Sequence, residues 1–152
     1  MSRPRKIRRV SKPPICSRFK PVGIPARLLD VVDLSVDEYE ALRLADYEGL
    51  KHKEAAEKMG ISRPTFTRLI DQARKKFASG IIEGKEISIE GGNFQFLQHV
   101  VRCRSCGSTY NYAQHAPDKC PECNEEDLEN LNMYYQGGQG QGHGRGKWGQ
   151  GK

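Results

Sequence analysis

Apolar residues recur at helical spacing through the middle of this chain and predict a pair of helices joined by a tight turn. The second helix has a stripe at intervals of three and four, formed by Phe66, Leu69, Ile70, Ala73 and Phe77. Ser62 can cap its start, and Pro64 stands in its first turn, where a missing N–H does no harm. Gly60, just before it, supplies the positive φ that a sharp turn needs. The first helix of the pair therefore ends at this glycine.

A further helix is predicted upstream. Ser35 and Glu38 have the spacing of a capping box, in which each satisfies a backbone N–H group of the other residue. Apolar residues then follow at intervals of three, and Gly49 ends the segment. Three helices between residues 35 and 78 are enough for a minimal DNA-binding unit.

Charge indicates what this unit binds. Residues 63–78 carry five basic side chains against Asp71 alone, whereas residues 28–62 carry nine acidic and four basic side chains. Two short helices joined by a tight turn, the second with a basic face, are typical of the helix-turn-helix that reads the major groove of double-stranded DNA. An ordinary amphipathic helix with a solvated basic face is the alternative. The candidate DNA-binding residues are Ser62, Arg63, Thr65, Thr67, Arg68, Gln72, Arg74 and Lys75.

Two resemblances make this hypothesis more specific. Residues 34–50 followed by 54–70 resemble the C-terminal DNA-binding domain of bacterial sigma factors, in which the second helix of the motif reads the −35 promoter element. Residues 2–96 also resemble an uncharacterised prokaryotic family of predicted DNA-binding proteins, and the motifs that carry this are residues 3–6, 19–25, 40–46, 62–66 and 89–94. These resemblances imply sequence-specific DNA binding. Lys51 departs from the pattern, because related sequences usually have a Ser or Thr cap there, worth ~1 kcal/mol.

Cysteine spacing predicts a metal site. Cys103 and Cys106 form one CxxC pair, and Cys120 and Cys123 form a second one, with thirteen residues between the pairs. Two such turns facing each other can close a tetrahedral site of four thiolates, and we expect one structural zinc ion there. Iron is the alternative, because these knuckles also resemble rubredoxin, although rubredoxins separate the pairs by a longer stretch. Two disulfides are a further alternative, and Cys16 is expected to be a free thiol.

The segment that carries these cysteines is small and acidic. Residues 97–132 number about 36, fewer than the ~40 below which a core alone rarely suffices, so metal binding should supply most of the folding free energy. Three basic against six acidic side chains disfavour phosphate contacts. We therefore expect a protein partner, RNA polymerase among the candidates, or a homodimer. Removing the metal should unfold this module and leave both residues 35–78 and their DNA affinity nearly unchanged.

The two ends of the chain have biased compositions. The first twenty residues hold eight Arg or Lys and no acidic residue, and eight of the last seventeen residues are Gly. Neither composition favours a packed core. In residues 79–96 the period changes to two, because Ile87 and Ile89 alternate with polar neighbours. A short β extension is expected there.

The predicted fold class is a mainly α helix-turn-helix domain followed by a small β zinc-ribbon module. Its parts are a basic flexible arm over residues 1–20, the helix-turn-helix domain over 21–96 with its core at 35–78, the zinc-ribbon module over 97–132, and a disordered Gly/Gln-rich tail over 133–152.

The main functional hypothesis is a transcription regulator of the cytoplasm, associated with the nucleoid. The chain shows no apolar signal core and no membrane-spanning run. It has no phosphate-binding glycine loop, and a metal held by four cysteines has no open position for a substrate, so we do not expect an enzyme. The alternatives are an RNA- or ribosome-associated zinc-ribbon protein and an iron-binding redox carrier or sensor.

Overall fold

The computed structural model of the chain describes residues 7–112 and 114–139. The α-helices of this described part are α1 (Val36–Leu42), α2 (His52–Met59) and α3 (Arg63–Ile82). A π-helical turn, Arg43–Tyr47, continues α1, and two 3-10 helices cover Ala26–Leu28 and Leu131–Gln139. The strands are β1 (Arg8–Val10), β2 (Arg18–Phe19), β3 (Val31–Leu34), β4 (Glu86–Ile89), β5 (Phe94–Phe96), β6 (His99–Cys103), β7 (Thr109–Tyr112) and β8 (Leu128–Asn130).

The prediction of a mainly α N-terminal domain is wrong. Two small sheets accompany the three helices: β1 lies parallel to β5, and β4 lies between β2 and β3, antiparallel to the first and parallel to the second. A parallel pair needs a crossover connection, and the helices α1 to α3 form the crossover between β3 and β4. The strands β1 and β2 are only three and two residues long, so they are too short to show an alternating pattern in the sequence.

The basic N-terminal segment and the start of the C-terminal tail are also more ordered than predicted. In β1, Arg8 pairs with Phe94 and Val10 pairs with Phe96, and the side chain of Val10 is fully buried. At the other end, the 3-10 helix that starts at Leu131 extends into the predicted tail and buries Tyr135. Backbone pairing with β5 thus overrides a composition typical of disorder. The rest of both predictions, residues 1–6 and 140–152, lies outside the described residues.

Two apolar clusters form the core, and α3 contributes to both. The cluster among the helices contains Ala41, Leu44, Ala55, Ala56, Met59, Phe66, Leu69 and Ile70. The cluster between α3 and the sheets contains Val10, Leu34, Val36, Ala73, Ile87, Ile89, Phe94 and Tyr135. Phe77, expected in the apolar stripe, is 45% exposed. Gly80 instead brings the backbone of α3 against Ile87, close enough that a Cβ would meet this side chain at 2.6 Å.

Buried carboxylates of α1 tie the first helix to distant segments. Asp37 accepts from Arg8 of β1 at 2.6 Å, and Glu38 accepts from Lys76 of α3 at 2.9 Å. Both carboxylates are almost inaccessible, and an unpaired buried charge would be strongly destabilising. Arg8 and Lys76 are therefore engaged inside the fold. From the sequence alone, they count toward the positive charge of the arm and of the second helix.

The turn between α2 and α3 leads to a stability prediction. Gly60 has a φ of 72°, and a Cβ on it would lie 3.0 Å from Nε of Arg9. We expect Gly60→Ala to cost about 1–2 kcal/mol from the left-handed backbone, plus the cost of displacing Arg9. Gly84→Ala is the matched control, because Gly84 has a φ of 66° and no atom within 4 Å of its added Cβ. Urea unfolding followed by circular dichroism should show the larger loss for Gly60→Ala. Equal losses would mean that the Arg9 contact contributes nothing.

Candidate nucleic-acid interface and metal cluster

Local hydrogen bonds fix the start of both helices of the pair. The hydroxyl of Ser62 accepts from the backbone N–H of Thr65 at 3.3 Å and caps α3. At the start of α2, Lys51 offers no side-chain oxygen, but its own N–H donates to the Glu54 carboxylate at 3.2 Å. This bond satisfies one backbone donor at the start of α2. The resemblance led us to expect a residue with a hydroxyl cap at this position.

The structure places all eight candidate DNA-binding residues between the cap of α3 and the middle of the helix. Thr65 is half-buried, and the exposed members are Ser62, Arg63, Thr67, Arg68, Gln72, Arg74 and Lys75. Within the described residues, ion pairs of α3 engage Arg74 and Lys75 but leave Arg63 and Arg68 without a carboxylate partner. Their guanidinium groups are therefore available to an external anion or base edge.

Arg74 has a structural role besides any contact to a ligand. Its guanidinium donates two hydrogen bonds to Asp46 in the π-helical turn, at 2.7 and 3.1 Å. These hydrogen bonds hold the pKa of the Asp46 carboxyl below its usual range. Lys75 lies 3.5 Å from Asp71, but both side chains are exposed, so this pair is weak. Of the two, Arg74 makes the better-oriented ion pair, because two of its nitrogen atoms bond the Asp46 carboxylate, although both side chains are exposed.

A shallow cavity, open to solvent, lies beside the start of α3, and we call it the basic cavity after its lining residues, whose apolar stems form most of its surface. It has a volume of about 420 Å³ and is lined by Lys51, His52, Lys53 and Arg63. The Nδ1 atom of His52 is 3.0 Å from the Thr67 hydroxyl, which links the first turn of α2 to α3. The residues predicted from the sequence to bind DNA do not include Lys51, His52 and Lys53. The signal that could have indicated them is their clustering at the entrance to the first helix of the pair.

The four predicted metal ligands come together in space. The Sγ atoms of Cys103, Cys106, Cys120 and Cys123 all lie within 4.8 Å of one another. Two of the sulfur–sulfur distances, Cys103–Cys123 and Cys106–Cys120, are 3.6 Å. A tetrahedral site with Zn–S distances of ~2.3 Å requires sulfur atoms about 3.8 Å apart. The cluster therefore has the size to hold a metal ion, and it includes all four cysteines of the two CxxC pairs.

Each cysteine pair lies on a similar turn. Gly107 follows the first pair and donates its N–H to the Cys103 carbonyl at 2.8 Å, and Asn124 donates in the same way to Cys120. Both residues have left-handed backbone, with φ of 81° and 66°. This repeated geometry points two sulfur atoms of each turn towards the same centre.

Hydrogen bonds favour the thiolate form at Cys106 and Cys120. At Cys123 a backbone hydrogen bond from Glu125 lowers the pKa of the thiol, but burial and the three other thiols outweigh it and raise this pKa. Burial opposes ionisation of Cys120, but donors outweigh it: the Tyr110 hydroxyl, and the backbone N–H groups of Cys123 and Glu122, at 3.3 to 3.5 Å. They lower the pKa of the Cys120 thiol to about 6. The Ser108 hydroxyl and backbone lower the pKa of Cys106. Since the thiolate is the form that binds metals, these neighbours favour metal binding by Cys106 and Cys120.

The antiparallel sheet β7–β6–β8 carries the cluster, and β6 ends at Cys103. We call the described part of residues 97–132 the ribbon. Asn132 closes it, because its buried amide accepts from the Val100 N–H at 2.9 Å and donates to the Gln98 carbonyl at 3.0 Å.

Cys16 is exposed and lies outside the cluster. Among the described residues, no helix is long and apolar enough to cross a membrane.

Comparisons with known proteins show relatives along the whole chain. Residues 1–97 match the family described as protein of unknown function DUF134. A UPF0251 protein of Chloroherpeton thalassium is 50% identical over 146 residues, which are 95% of this chain and 95% of the relative. A UPF0251 protein of Moorella thermoacetica is 41% identical over 152 residues, which are 100% of this chain and 99% of the relative. No solved structure matches. The chain therefore belongs to the DUF134 family and has full-length relatives among the UPF0251 proteins.

Proposed function

We propose that this protein binds double-stranded DNA in a sequence-specific manner and regulates transcription, with α3 lying in the major groove. The observation that carries the proposal is the pair of exposed arginines on α3, Arg63 and Arg68, of which Arg63 also lines the basic cavity. The major groove is ≈12 Å wide and admits one helix, and α3 presents these side chains at its N-terminal half, as recognition helices do.

The side chains at the start of α2 and those of α3 have different functions in the proposed complex with DNA. Lys51 and Lys53, at the start of α2, neutralise backbone phosphates, which gives affinity but no sequence information. Arg63, Thr67 and Arg68 reach base edges, where an arginine can donate two hydrogen bonds to a guanine. The contact between His52 and Thr67 joins the two sets of side chains and holds α2 in register with α3.

A direct titration tests duplex DNA as the ligand. Labelled duplex DNA and an RNA hairpin of the same base composition are titrated with the protein at several salt concentrations. We expect duplex DNA to bind more tightly, with a slope of log K against log salt of roughly −2, if Lys51 and Lys53 each neutralise one phosphate. Tighter binding to RNA, or a slope near zero, would contradict the proposal.

Phe66 supports DNA over single-stranded RNA as the ligand, because its ring is fully buried and cannot stack on a base.

For the four-cysteine cluster we propose one structural zinc ion. The set of four thiolates leaves no open coordination position, which is typical of structural zinc sites. Metal analysis of the purified chain should find one zinc per chain and no visible absorbance. A reddish protein with one iron per chain and a reversible one-electron couple would instead favour the redox carrier.

In the proposal, the acidic ribbon offers its exposed carboxylates to a protein partner such as RNA polymerase or a second copy of the chain.

A further inference from the structure

One segment of the chain contacts both the helix pair and the ribbon. It consists of residues 8–15, and we call it the N-terminal strap. On the side of the helices, Arg9 donates from Nη2 to the Glu57 carbonyl at 3.0 Å, near the end of α2. The backbone N–H of Ser11 donates to the Glu40 carboxylate at 3.0 Å, and Arg8 is paired with Asp37. Three contacts, from Arg8, Arg9 and Ser11, therefore hold the strap against α1 and α2.

On its other side, the strap accepts hydrogen bonds from the ribbon and from the residues next to it. They run from Leu97 N–H to the Val10 carbonyl (2.8 Å), Gln98 N–H to Ser11 (2.9 Å), Arg102 Nη1 to Ile15 (2.8 Å) and the Tyr135 hydroxyl to Pro14 (3.0 Å). Arg102 is adjacent in sequence to Cys103, a member of the cluster. The cysteine cluster is thus one residue away from a direct contact to the strap.

These contacts depend on a folded ribbon. A module of about 36 residues cannot be stable through its apolar core alone, so the metal supplies most of its folding free energy. When the metal leaves, β6 and the buried Asn132 lose their positions. The side chain of Arg102 then loses its position as well, so the strap loses its contact at Ile15, whereas Tyr135 stays packed in the cluster between α3 and the sheets.

The strap touches the helix pair at its turn. A Cβ on Gly60 would lie 3.0 Å from Nε and 3.1 Å from Nη2 of Arg9, so the guanidinium covers this glycine. The same guanidinium donates to a carbonyl near the C-terminus of α2, where a cation is favoured by the helix dipole. Arg9 therefore holds the strap against the turn between α2 and α3.

We propose that the occupancy of the four-cysteine site controls the helix pair through the strap, with Arg9 as the positioning residue. This inference rests on the proposed function, because its consequence is that DNA affinity depends on the metal. It replaces the expectation from the sequence that metal removal leaves DNA affinity unchanged. The distance between the two sites is bridged by contacts along one continuous segment, residues 8–15.

The test uses the full chain, with zinc bound and after removal of zinc by a chelator. Two quantities are measured: hydrogen exchange of the amides of residues 57–61, and affinity for a duplex recovered by selection from random fragments. We expect zinc removal to accelerate exchange in the turn and to weaken DNA binding about tenfold, within the range of measured allosteric couplings. Helical circular dichroism reports whether α1 to α3 remain folded.

Arg9→Gln with zinc bound should produce the same two changes. Lys12→Gln is the matched control, because Lys12 is an exposed cation of the same strap. In the Arg9→Gln background, zinc removal should cause little further loss, because both changes act on one contact. A residue that only contributed to overall stability would give additive losses instead, and additive losses would overturn the route through Arg9.

The outcomes separate this inference from the proposed function. If the turn amides and the DNA affinity are both unchanged on zinc removal, the inference is wrong and the proposed function stands. If no duplex is bound but the turn loosens on zinc removal, the link between the two sites stands and the proposed function is wrong. Equal effects of Arg9→Gln and Lys12→Gln would reduce Arg9 to an electrostatic contribution and contradict its positioning role.

Discussion

Replacing Cys103 and Cys106 together with serine is expected to abolish metal binding and to unfold the ribbon. Structural zinc sites carry an apparent binding free energy of about 10–16 kcal/mol at neutral pH in zinc-finger peptides, which exceeds what a module of this size gains from its core. Two of the four sulfur ligands are lost in the variant, so the remaining pair cannot close a tetrahedral site. Metal analysis should find no zinc, and the amides of β6 and β7 should lose their protection from hydrogen exchange.

Cys16→Ser is the matched control for this variant. Cys16 is exposed and lies outside the cluster, so its replacement should leave both the zinc content and the exchange of the ribbon unchanged. The α-helical circular dichroism should be mostly retained in both variants, because α1 to α3 have an apolar cluster of their own. A folded ribbon in the metal-free double variant would contradict the structural role of the metal.

Truncating the exposed arginines of α3 is expected to have the largest effect on DNA binding. Arg63→Ala and Arg68→Ala should each lose about 1–3 kcal/mol at the specific site and relax the preference at one or two base pairs. Neither arginine has a carboxylate partner among the described residues, so little stability should be lost. Affinity for the selected duplex and for a scrambled duplex gives both effects in one experiment.

Two further variants interpret these losses. Arg74→Ala should weaken the fold as well, because this side chain is held by Asp46, so its effect on DNA binding should come with a lower unfolding midpoint. Arg27→Ala removes an exposed charge from the 3-10 turn ahead of β3 and should have little effect on base preference. Equal losses from Arg27→Ala and Arg68→Ala would show that only net charge matters and that α3 reads no bases.

Local signals in the sequence were sufficient for the helix pair and for the cysteine cluster. The turn at Gly60 and the cap at Ser62 depend on neighbouring residues only, and the structure has both. The cysteine pairs carry their geometry in a four-residue spacing, and the structure brings all four sulfur atoms together. The identity of the metal is not part of this geometry, since the size of the cluster alone does not select one.

The sheets and the strap could not be predicted in the same way. Strand β1 pairs with β5 across more than eighty residues, and its three residues carry no pattern that differs from an ordinary basic segment. Arg8 and Arg9 were counted as charges of a flexible arm because their partners, Asp37 and the Glu57 carbonyl, are distant in sequence. The basic cavity was missed for a related reason, since Arg63 joins it only when α3 folds back beside α2.

The most direct test of DNA reading is a selection of bound fragments from random duplex DNA by the zinc-loaded protein. We expect sequencing of the bound fragments to recover one shared motif. This motif should be bound at least ~10³-fold more tightly than scrambled DNA at physiological salt, and Arg68→Ala should relax the preference at part of it. Recovery of fragments without a shared motif, or no recovery at all, would contradict sequence-specific binding by α3.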